Sequence, residues 1–322
     1  MITEAQIFLT RQCNMNCGYC KLVENQTLKE LDYGDWMKAW RIMENIGIKT
    51  VKLMGGEPTV KEWLPNLLSF ASKTSIKTAL LSNSCFDETM LRKIKDSLPW
   101  GYFASVDSMK SLNSHKDPVK KSLNGYQTLK ALKNSNIPIL AANVVINKHN
   151  YKDVPEIVQR LSDEGFWVNL CSVQHTKDKT REFSRSTIKL DYLFTKEDRP
   201  VVKEIADQLL TMKMLGVKIS VPDSYIIGLP YYGIDCNWKC DKMIQLRIDA
   251  DGSFMLCNEY RTKLAENYNI LNMTPEKFDK FENKAWPTAR KSVDCNGCYW
   301  SCFLQAKHNI ENKKLEFDYA KA

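Results

Sequence analysis

One cysteine loop near the start of the chain restricts the possible folds and chemistries more than any other feature. The loop has the spacing C-x3-C-x2-C and comprises Cys13, Cys17 and Cys20. It directly follows the short apolar segment Ile7-Phe8-Leu9. Three thiolates this close together can bind three irons of a cubic 4Fe–4S cluster, which leaves the fourth iron without a protein ligand. Structural zinc needs four protein ligands, and Cys85 and His115 are distant in sequence, so the spacing favours an open iron–sulfur site.

With the aromatic Tyr19 before its last cysteine, this loop resembles the signature of the radical S-adenosylmethionine (SAM) superfamily. Further elements match in order along the chain: Gly55-Gly56-Glu57-Pro58, Ser82-Asn83 and Ser105-Val106-Asp107. Each of them is expected to end a strand. The resemblance covers roughly the first two-thirds of the chain.

The resemblance implies a reaction and a set of ligands. In the family, SAM binds the open iron, a reduced cluster donates one electron, and the resulting 5′-deoxyadenosyl radical removes a hydrogen atom from the substrate. Gly55 and Gly56 would permit close backbone approach to the methionyl part of SAM, Glu57 would accept from its ammonium, and Tyr19 would lie beside the adenine. Short polar side chains would meet the ribose hydroxyls and the carboxylate: Ser82, Asn83 and Ser105. Turn capping is the alternative role for these three residues.

Strands and helices alternate through the first part of the chain. Apolar segments predict strands at 7–9, 48–53, 76–81, 102–106, 138–146 and 166–173, with helices between them. This alternation predicts βαβ units and a parallel sheet. Six such units would make a partial (β/α)6 barrel like the one that the superfamily uses. The motifs above would then all fall at the carboxyl ends of strands, where barrel active sites form.

The sequence changes in character after the sixth strand. Residues 174–200 are long and polar, which is typical of a lid or of a surface insertion. A helix is predicted from Val201, and residues 222–233 carry glycine and proline punctuation. We therefore predict a radical SAM barrel over residues 1–215 and a small cysteine-rich domain over residues 216–322.

The predicted second domain contains a second group of cysteines, which are Cys236, Cys240, Cys257, Cys295, Cys298 and Cys302. Two short strands around Asp251-Gly252 predict a β-hairpin. The pattern resembles the auxiliary-cluster hairpin of SPASM and Twitch radical SAM proteins. This resemblance implies one auxiliary 4Fe–4S cluster bound by Cys257, Cys295, Cys298 and either Cys240 or Cys236, with Cys302 as a further candidate. Structural zinc is the alternative.

Several functions remain open at this stage. The auxiliary cluster would accept an electron in a two-electron oxidation, or position the substrate. In a redox-neutral epimerisation, Cys171 at the end of the sixth strand would return a hydrogen atom, although free cysteine is commonly a core residue. The substrate is a peptide or protein side chain, or a small molecule such as a sugar, cyclitol or nucleoside. A zinc-binding regulatory protein is the non-enzymatic alternative.

Composition and sequence pattern narrow the expected cellular location and partners. The chain has 322 residues, 43% of them hydrophobic, and a formal net charge of +8. Its basic residues are scattered, so a nucleic-acid partner is not expected. The N-terminus lacks a signal-peptide pattern, no apolar run is long enough to span a membrane, and clustered cysteines indicate metal binding in a reducing compartment. We expect a cytoplasmic enzyme that is reduced by a donor such as flavodoxin or ferredoxin.

Overall fold

A single parallel sheet organises the computed structural model. The structure describes residues 2–20, 29–109, 124–173, 190–235, 237–238, 240, 243–258, 268–293 and 299–311. The strands are β1 (Glu4–Thr10), β2 (Thr50–Gly55), β3 (Lys77–Ser82), β4 (Gly101–Ser105), β5 (Ile139–Ile146), β6 (Trp167–Ser172) and β7 (Leu246–Ile248). The sheet order is β6-β5-β4-β3-β2-β1-β7, and every neighbouring pair is parallel.

Helices connect the successive strands, and further helices follow the last strand. They are α1 (Tyr33–Asn45), α2 (Leu64–Ala71), α3 (Glu88–Ser97), α4 (Gly125–Leu132), α5 (Val154–Asp163), α6 (Arg199–Met214), α7 (Asp223–Asp235), α8 (Pro275–Lys280), α9 (Trp286–Lys291) and α10 (Ser301–Glu311). A π-helical turn, Phe281–Ala285, joins α8 to α9. Short 3-10 turns lie at Pro58–Val60, Leu190–Tyr192, Lys196–Asp198 and Ile270–Asn272.

Local sequence signals explain where several helices begin. The side chain of Asp32 accepts a hydrogen bond from the backbone N–H of Asp35 and so caps α1. Asn124 and Gln127 form a reciprocal capping box at the start of α4. These caps satisfy backbone donors that the first turn of a helix leaves without partners.

The two faces of the sheet have different surroundings. One face packs against the helices in a large apolar core to which α1 contributes Trp36, Trp40 and Met43. Side chains on the opposite face, which we call the inner face, form two smaller clusters. The first contains Phe8, Met54 and Met255, and the second contains Ala79, Phe103, Ile139, Ala141 and Trp167.

The predicted alternation and the parallel sheet are confirmed. The sheet remains open, since within the described ranges no pairing joins β6 to β7, and this agrees with a partial barrel. The predicted hairpin is present as a short antiparallel bridge between Ile248 and Phe254 around Gly252. Its first arm, β7, also pairs in parallel with β1. The division between residues 215 and 216 stays a prediction.

The segment at residues 222–233, which carries the glycine and proline punctuation, is mostly helical. Residues 223–235 form α7, with Pro230 inside the helix. Interior proline normally disrupts a helix because it lacks an N–H group. Here Tyr225, Ile226 and Leu229 are buried, and their packing offsets that cost.

In the part of the chain that the structure describes, no helix is both long and apolar enough to cross a membrane.

Candidate metal and cofactor site

The cysteine loop lies at the carboxyl edge of the sheet, directly after β1. Cys13, Cys17 and Cys20 are half-buried and form no disulfide. The backbone N–H of Cys20 donates to the carbonyl oxygen of Cys17 at 2.9 Å, which turns the chain. Cys20 also packs against the inner-face cluster of Phe8, Met54 and Met255. The loop is therefore folded back over the inner face.

Asn83 ties this loop to the end of β3. Its Nδ2 donates to Asn14 Oδ1 at 2.9 Å and lies 3.9 Å from Cys13 Sγ. Its Oδ1 accepts from the backbone N–H of Cys85 at 2.7 Å, and Asn14 Nδ2 donates to the Cys85 carbonyl at 2.7 Å. Asn83 thus braces the loop, and Cys85 is a buried part of that brace.

Glu57 is buried beneath the same loops, and both oxygens of its carboxylate accept hydrogen bonds from protein groups. Oε1 accepts from the backbone and hydroxyl of Thr59 at 3.0 and 2.7 Å, and from the Ser82 hydroxyl at 2.8 Å. Oε2 accepts from the backbone N–H of Asn83 at 2.7 Å. Burial raises the pKa of Glu57, and these hydrogen bonds oppose that rise. The observed contacts make Glu57 and Ser82 braces between the β2 and β3 loops, and their predicted roles toward SAM stay predictions.

Gly55 and Gly56 allow two backbone segments to meet. Gly55 has a φ of +148°. The backbone N–H of Gly56 donates to the Thr10 carbonyl at 2.8 Å, and a Cβ atom on Gly56 would overlap the carbonyl oxygen of Gln12. The glycines therefore fit the β2 loop against the start of the cysteine loop. Their predicted approach to the methionyl group of SAM is not tested by these contacts.

Tyr19 is held by a residue that the sequence analysis did not assign to the site. Its hydroxyl donates to Asp107 Oδ2 at 2.5 Å, and Asp107 Oδ1 accepts from the backbone N–H of Val145 at 2.8 Å. Burial raises the pKa of Tyr19 well above its ordinary value, and the negative charge of Asp107 adds to this effect. In the sequence, Asp107 belongs to the Ser105-Val106-Asp107 element, but only Ser105 of that element was assigned a role.

Tyr192 covers the loop from the other side. A Cβ atom on Gly18 would lie 2.6 Å from the Tyr192 ring, so only glycine fits there without a shift. The Tyr192 ring centroid is 5.8 Å from that of Tyr19 and 4.6 Å from that of His149. Sequence reasoning missed Tyr192 because it follows a long polar segment that carries no motif. His175 and His115 lie outside the described residues.

A row of polar side chains crosses the inner face near the carboxyl edge. Ser105, Asn143 and Asn169 are aligned across β4, β5 and β6, and Asn169 Nδ2 donates to Asn143 Oδ1 at 2.8 Å. Cys171 lies one inward-facing position further along β6, with its Sγ 3.5 Å from Asn169 Nδ2 and 3.3 Å from Ser301 Oγ. The structure places Cys171 and Ser105 at this edge, and their chemical roles stay predictions.

Two contact sets fasten the base of the cysteine loop. Glu30 accepts from the Arg11 backbone at 2.7 Å and from the Thr10 hydroxyl at 2.9 Å, and it pairs with Lys61 at 2.7 Å. Burial would raise the pKa of Glu30, but these donors outweigh it and lower the pKa. The guanidinium of Arg11 forms a buried two-point ion pair with Asp249, which lies just after β7.

Part of the second cysteine group can be located. Cys240, Cys257 and Cys302 form no disulfide and are half-buried, whereas Cys236, Cys295 and Cys298 lie outside the described residues. Cys240 packs against a cluster that contains Ile244 and Phe303, so it lies beside the helix that carries Cys302. The predicted auxiliary cluster stays a prediction.

The loop cysteines suit an iron–sulfur cube better than a single metal ion. Among the described residues, no three histidine, cysteine or acidic side chains converge on a single metal-ion position. A 4Fe–4S cube differs because each thiolate binds a different iron. Three cysteine thiols on one loop provide the donor set for such a cube. Asn83 Nδ2 and the Met15 N–H are directed at Cys13 Sγ, as in the sulfur-directed hydrogen bonds that such a cube uses. The residues therefore fit the cluster.

Comparison with known proteins agrees with this geometry. A family model described as the Radical SAM superfamily matches residues 7–161. A GTP 3′,8-cyclase of Helicobacter pylori is 22% identical over 289 residues, covering 84% of this chain and 85% of the cyclase. A GTP 3′,8-cyclase of Aliarcobacter butzleri is 27% identical over 199 residues, covering 57% of this chain and 60% of that protein.

Solved structures share the fold. The structure of anSMEcpe with bound AdoMet and the Cp18Cys peptide has a TM-score of 0.66 at 16% identity, covering 99% of this chain and 94% of that one. SuiB of Streptococcus suis has a TM-score of 0.65 at 16% identity, covering 91% of this chain and 68% of that one. At such identities the likeness establishes the architecture alone.

Proposed function

We propose that this chain is an enzyme that uses SAM to abstract a hydrogen atom from a substrate at the inner face, because residues 7–161 match the Radical SAM superfamily model. The superfamily uses a 4Fe–4S cluster and SAM. When bound, these groups supply a single electron and a 5′-deoxyadenosyl radical, which is chemistry that no side chain provides. The observation that carries the proposal is the loop of three cysteine thiols held at the carboxyl edge of a parallel sheet.

The residues of the chain would hold and orient these groups. Cys13, Cys17 and Cys20 would each bind one iron. Tyr19, fixed by Asp107, would lie beside the adenine, and Ser105 would contact the ribose. Glu57 and Asn83 would act through the loops they brace, and the ring of Tyr192 would exclude water from the loop.

The net reaction depends on the second cysteine group. We propose that Cys257, Cys295 and Cys298, with Cys240 or Cys236 as the fourth ligand, bind an auxiliary 4Fe–4S cluster, and that Cys302 is a further candidate ligand. An auxiliary cluster would accept an electron in an oxidation or position the substrate. In a redox-neutral epimerisation, Cys171 would return a hydrogen atom from its place on the inner face. A flavodoxin- or ferredoxin-type donor in the cytoplasm would supply the reducing electron.

The substrate is proposed to be a small molecule. The sequence relatives that match most of their own length are named as cyclases of GTP, so a nucleotide is one candidate, beside the sugar and cyclitol classes. A peptide side chain is the second candidate, because anSMEcpe and SuiB, which share the fold, were solved with peptides. Assays with candidates from both classes distinguish them, because only the true substrate should give a product whose formation depends on SAM.

The deciding experiment counts metal after anaerobic reconstitution. We expect about eight irons per chain in the wild type and about four in a Cys13/Cys17/Cys20→Ala variant. With dithionite and SAM, the wild type should release 5′-deoxyadenosine and the triple variant should not. The matched control is Cys85→Ala, which removes a buried cysteine beside the loop and should keep its iron. Zinc in place of iron would support the regulatory alternative and overturn the proposal.

A further inference from the structure

Arg247 is a buried cation on the inner face, in the middle of β7. It is aligned with Gln6 of β1, and its carbonyl oxygen accepts from the backbone N–H of Met255 at 3.0 Å. Only 8% of the residue is exposed. Arginine is rarely buried to this extent unless it is paired.

The guanidinium of Arg247 has donors without acceptors. Its Nε and Nη1 are inaccessible to solvent and have no hydrogen-bond partner among the described residues. Two other cations close to β1 are compensated, since Arg11 pairs with Asp249 and Lys52 lies 2.8 Å from Glu4 Oε1. A buried charge without a partner is costly, so the positive charge of Arg247 calls for an anion that the described residues do not supply.

Two neighbouring amides show the same incomplete bonding. Asn258 donates to Gln6 Oε1 at 3.1 Å, and Gln245 donates to Glu4. The amide oxygens of Asn258 and Gln245 are buried and have no partner among the described residues. This group, which we call the Arg247 pocket, therefore presents, on one face of the sheet, donors and acceptors that are unpaired among the described residues.

The Arg247 pocket lies close to the cofactor loop. Along β1, inward-facing positions alternate, so Gln6 is one such position below Phe8. Phe8 packs with Met54 and Met255, and Cys20 packs against that cluster. One layer of apolar side chains thus separates the pocket from the cysteine loop. The pocket is therefore a suitable place to anchor one end of a substrate.

We infer that Arg247 binds an anionic group of the substrate, either a carboxylate or a phosphate, with the Asn258 and Gln245 amides accepting hydrogen bonds from polar groups beside it. A guanidinium suits this task because its planar fork matches the oxygens of both anions. The inference rests on the proposed function and specifies its substrate as an anion. The printed names of the cyclase relatives, whose substrate GTP carries phosphates, agree with it.

Binding of matched probes to the full reconstituted chain tests the inference, with SAM at saturation so that its own site is filled. The probes are GTP with guanosine as its uncharged counterpart, pyrophosphate for the phosphate class and succinate for the carboxylate class. We expect at least one anionic probe to bind wild type and guanosine to bind far more weakly. Arg247→Met should weaken that binding by about 10- to 100-fold, as expected for loss of charged hydrogen bonds, and Arg247→Lys should recover part of it.

The matched control is Arg92→Met, which removes the same charge from an exposed site on α3 and should bind as the wild type does. Binding of no anionic probe to the wild type, or equal binding to wild type and Arg247→Met, would overturn the inference. So would a changed iron content or auxiliary-cluster spectrum in Arg247→Met with unchanged anion binding, because the guanidinium would then serve the cluster near Cys257. Release of 5′-deoxyadenosine by the wild type without any probe tests the proposed function separately.

Discussion

The hydroxyl of Tyr19 donates to a carboxylate oxygen of Asp107 at 2.5 Å, and this contact joins the cysteine loop to the end of β4. The other oxygen of Asp107 accepts from the backbone of Val145 in β5 at 2.8 Å. One carboxylate therefore fixes an aromatic side chain of the cofactor loop relative to two strands. The position of Tyr19 follows from the sheet and does not depend on the loop alone.

A double-mutant cycle measures this coupling. Tyr19→Phe removes the donor, and Asp107→Asn replaces the charged acceptor. We expect each single change to lower the free energy of unfolding by about 1–3 kcal/mol, because hydrogen bonds to charged groups contribute this much. The double variant should lose less than the sum of the two, measured by urea denaturation. Tyr231→Phe, an exposed tyrosine, is the control and should change stability by less than about 0.5 kcal/mol. Strict additivity would show that the pair is not coupled.

The buried pair between Arg11 and Asp249 should be far more sensitive than a surface pair. Asp249 is fully buried, so Asp249→Asn leaves the Arg11 charge without its counter-ion. We expect a loss of about 3–5 kcal/mol in unfolding free energy. The same carboxylate-to-amide change in the exposed helical pair Lys203–Asp207, Asp207→Asn, should cost only about 0.5 kcal/mol or less. Similar losses in both variants would contradict the role assigned to Arg11.

Acid should loosen the base of the cysteine loop through Glu30. Its pKa is lowered in the folded protein by donors that include Lys61. A lowered folded-state pKa gives stability that is present above the unfolded value of about 4.3 and is lost as pH falls through the folded value. The stability advantage of the wild type over Glu30→Gln should therefore be constant near neutral pH and shrink in acid.

The measurement is chemical denaturation at a series of pH values. Lys61→Met is the matched variant, because it removes one of the donors that lower the Glu30 pKa, and its acid dependence should be weaker than that of the wild type. An advantage over Glu30→Gln that grows as the pH falls would contradict this prediction.

Two glycine substitutions separate steric overlap from backbone strain. Gly56→Ala places a Cβ against the backbone of Gln12, whereas Gly165→Ala meets open space at a φ of +93°. We expect Gly165→Ala to cost about 1–2 kcal/mol from left-handed strain alone and to keep its iron after reconstitution. Gly56→Ala should cost about 3 kcal/mol and lower the iron content, because it displaces the start of the cysteine loop. Full iron loading in Gly56→Ala would show that the loop tolerates the displacement.

The sequence identified the features that depend on neighbours along the chain. Apolar alternation and helical spacing located the first six strands and the helices between them, because both patterns repeat over a few residues. The cysteine spacing identified the loop for the same reason. The fold class and the resemblance to the radical SAM superfamily followed from these local signals together with the order of the motifs.

Tertiary structure decided what those residues contact. Pairing of β7 with β1 joins segments about 240 positions apart, and no local pattern specifies it. Glu57 and Ser82 matched a ligand motif, yet they contact each other under the loops. In the sequence, Arg247 is one of many scattered basic residues. Its position in β7 puts it, buried, on the inner face of the sheet. Periodicity reports only the local backbone, so the sequence by itself determined the fold class and the order of strands and helices along the chain. Side-chain burial depends on the whole packed sheet, so only the tertiary structure showed the Arg247 pocket.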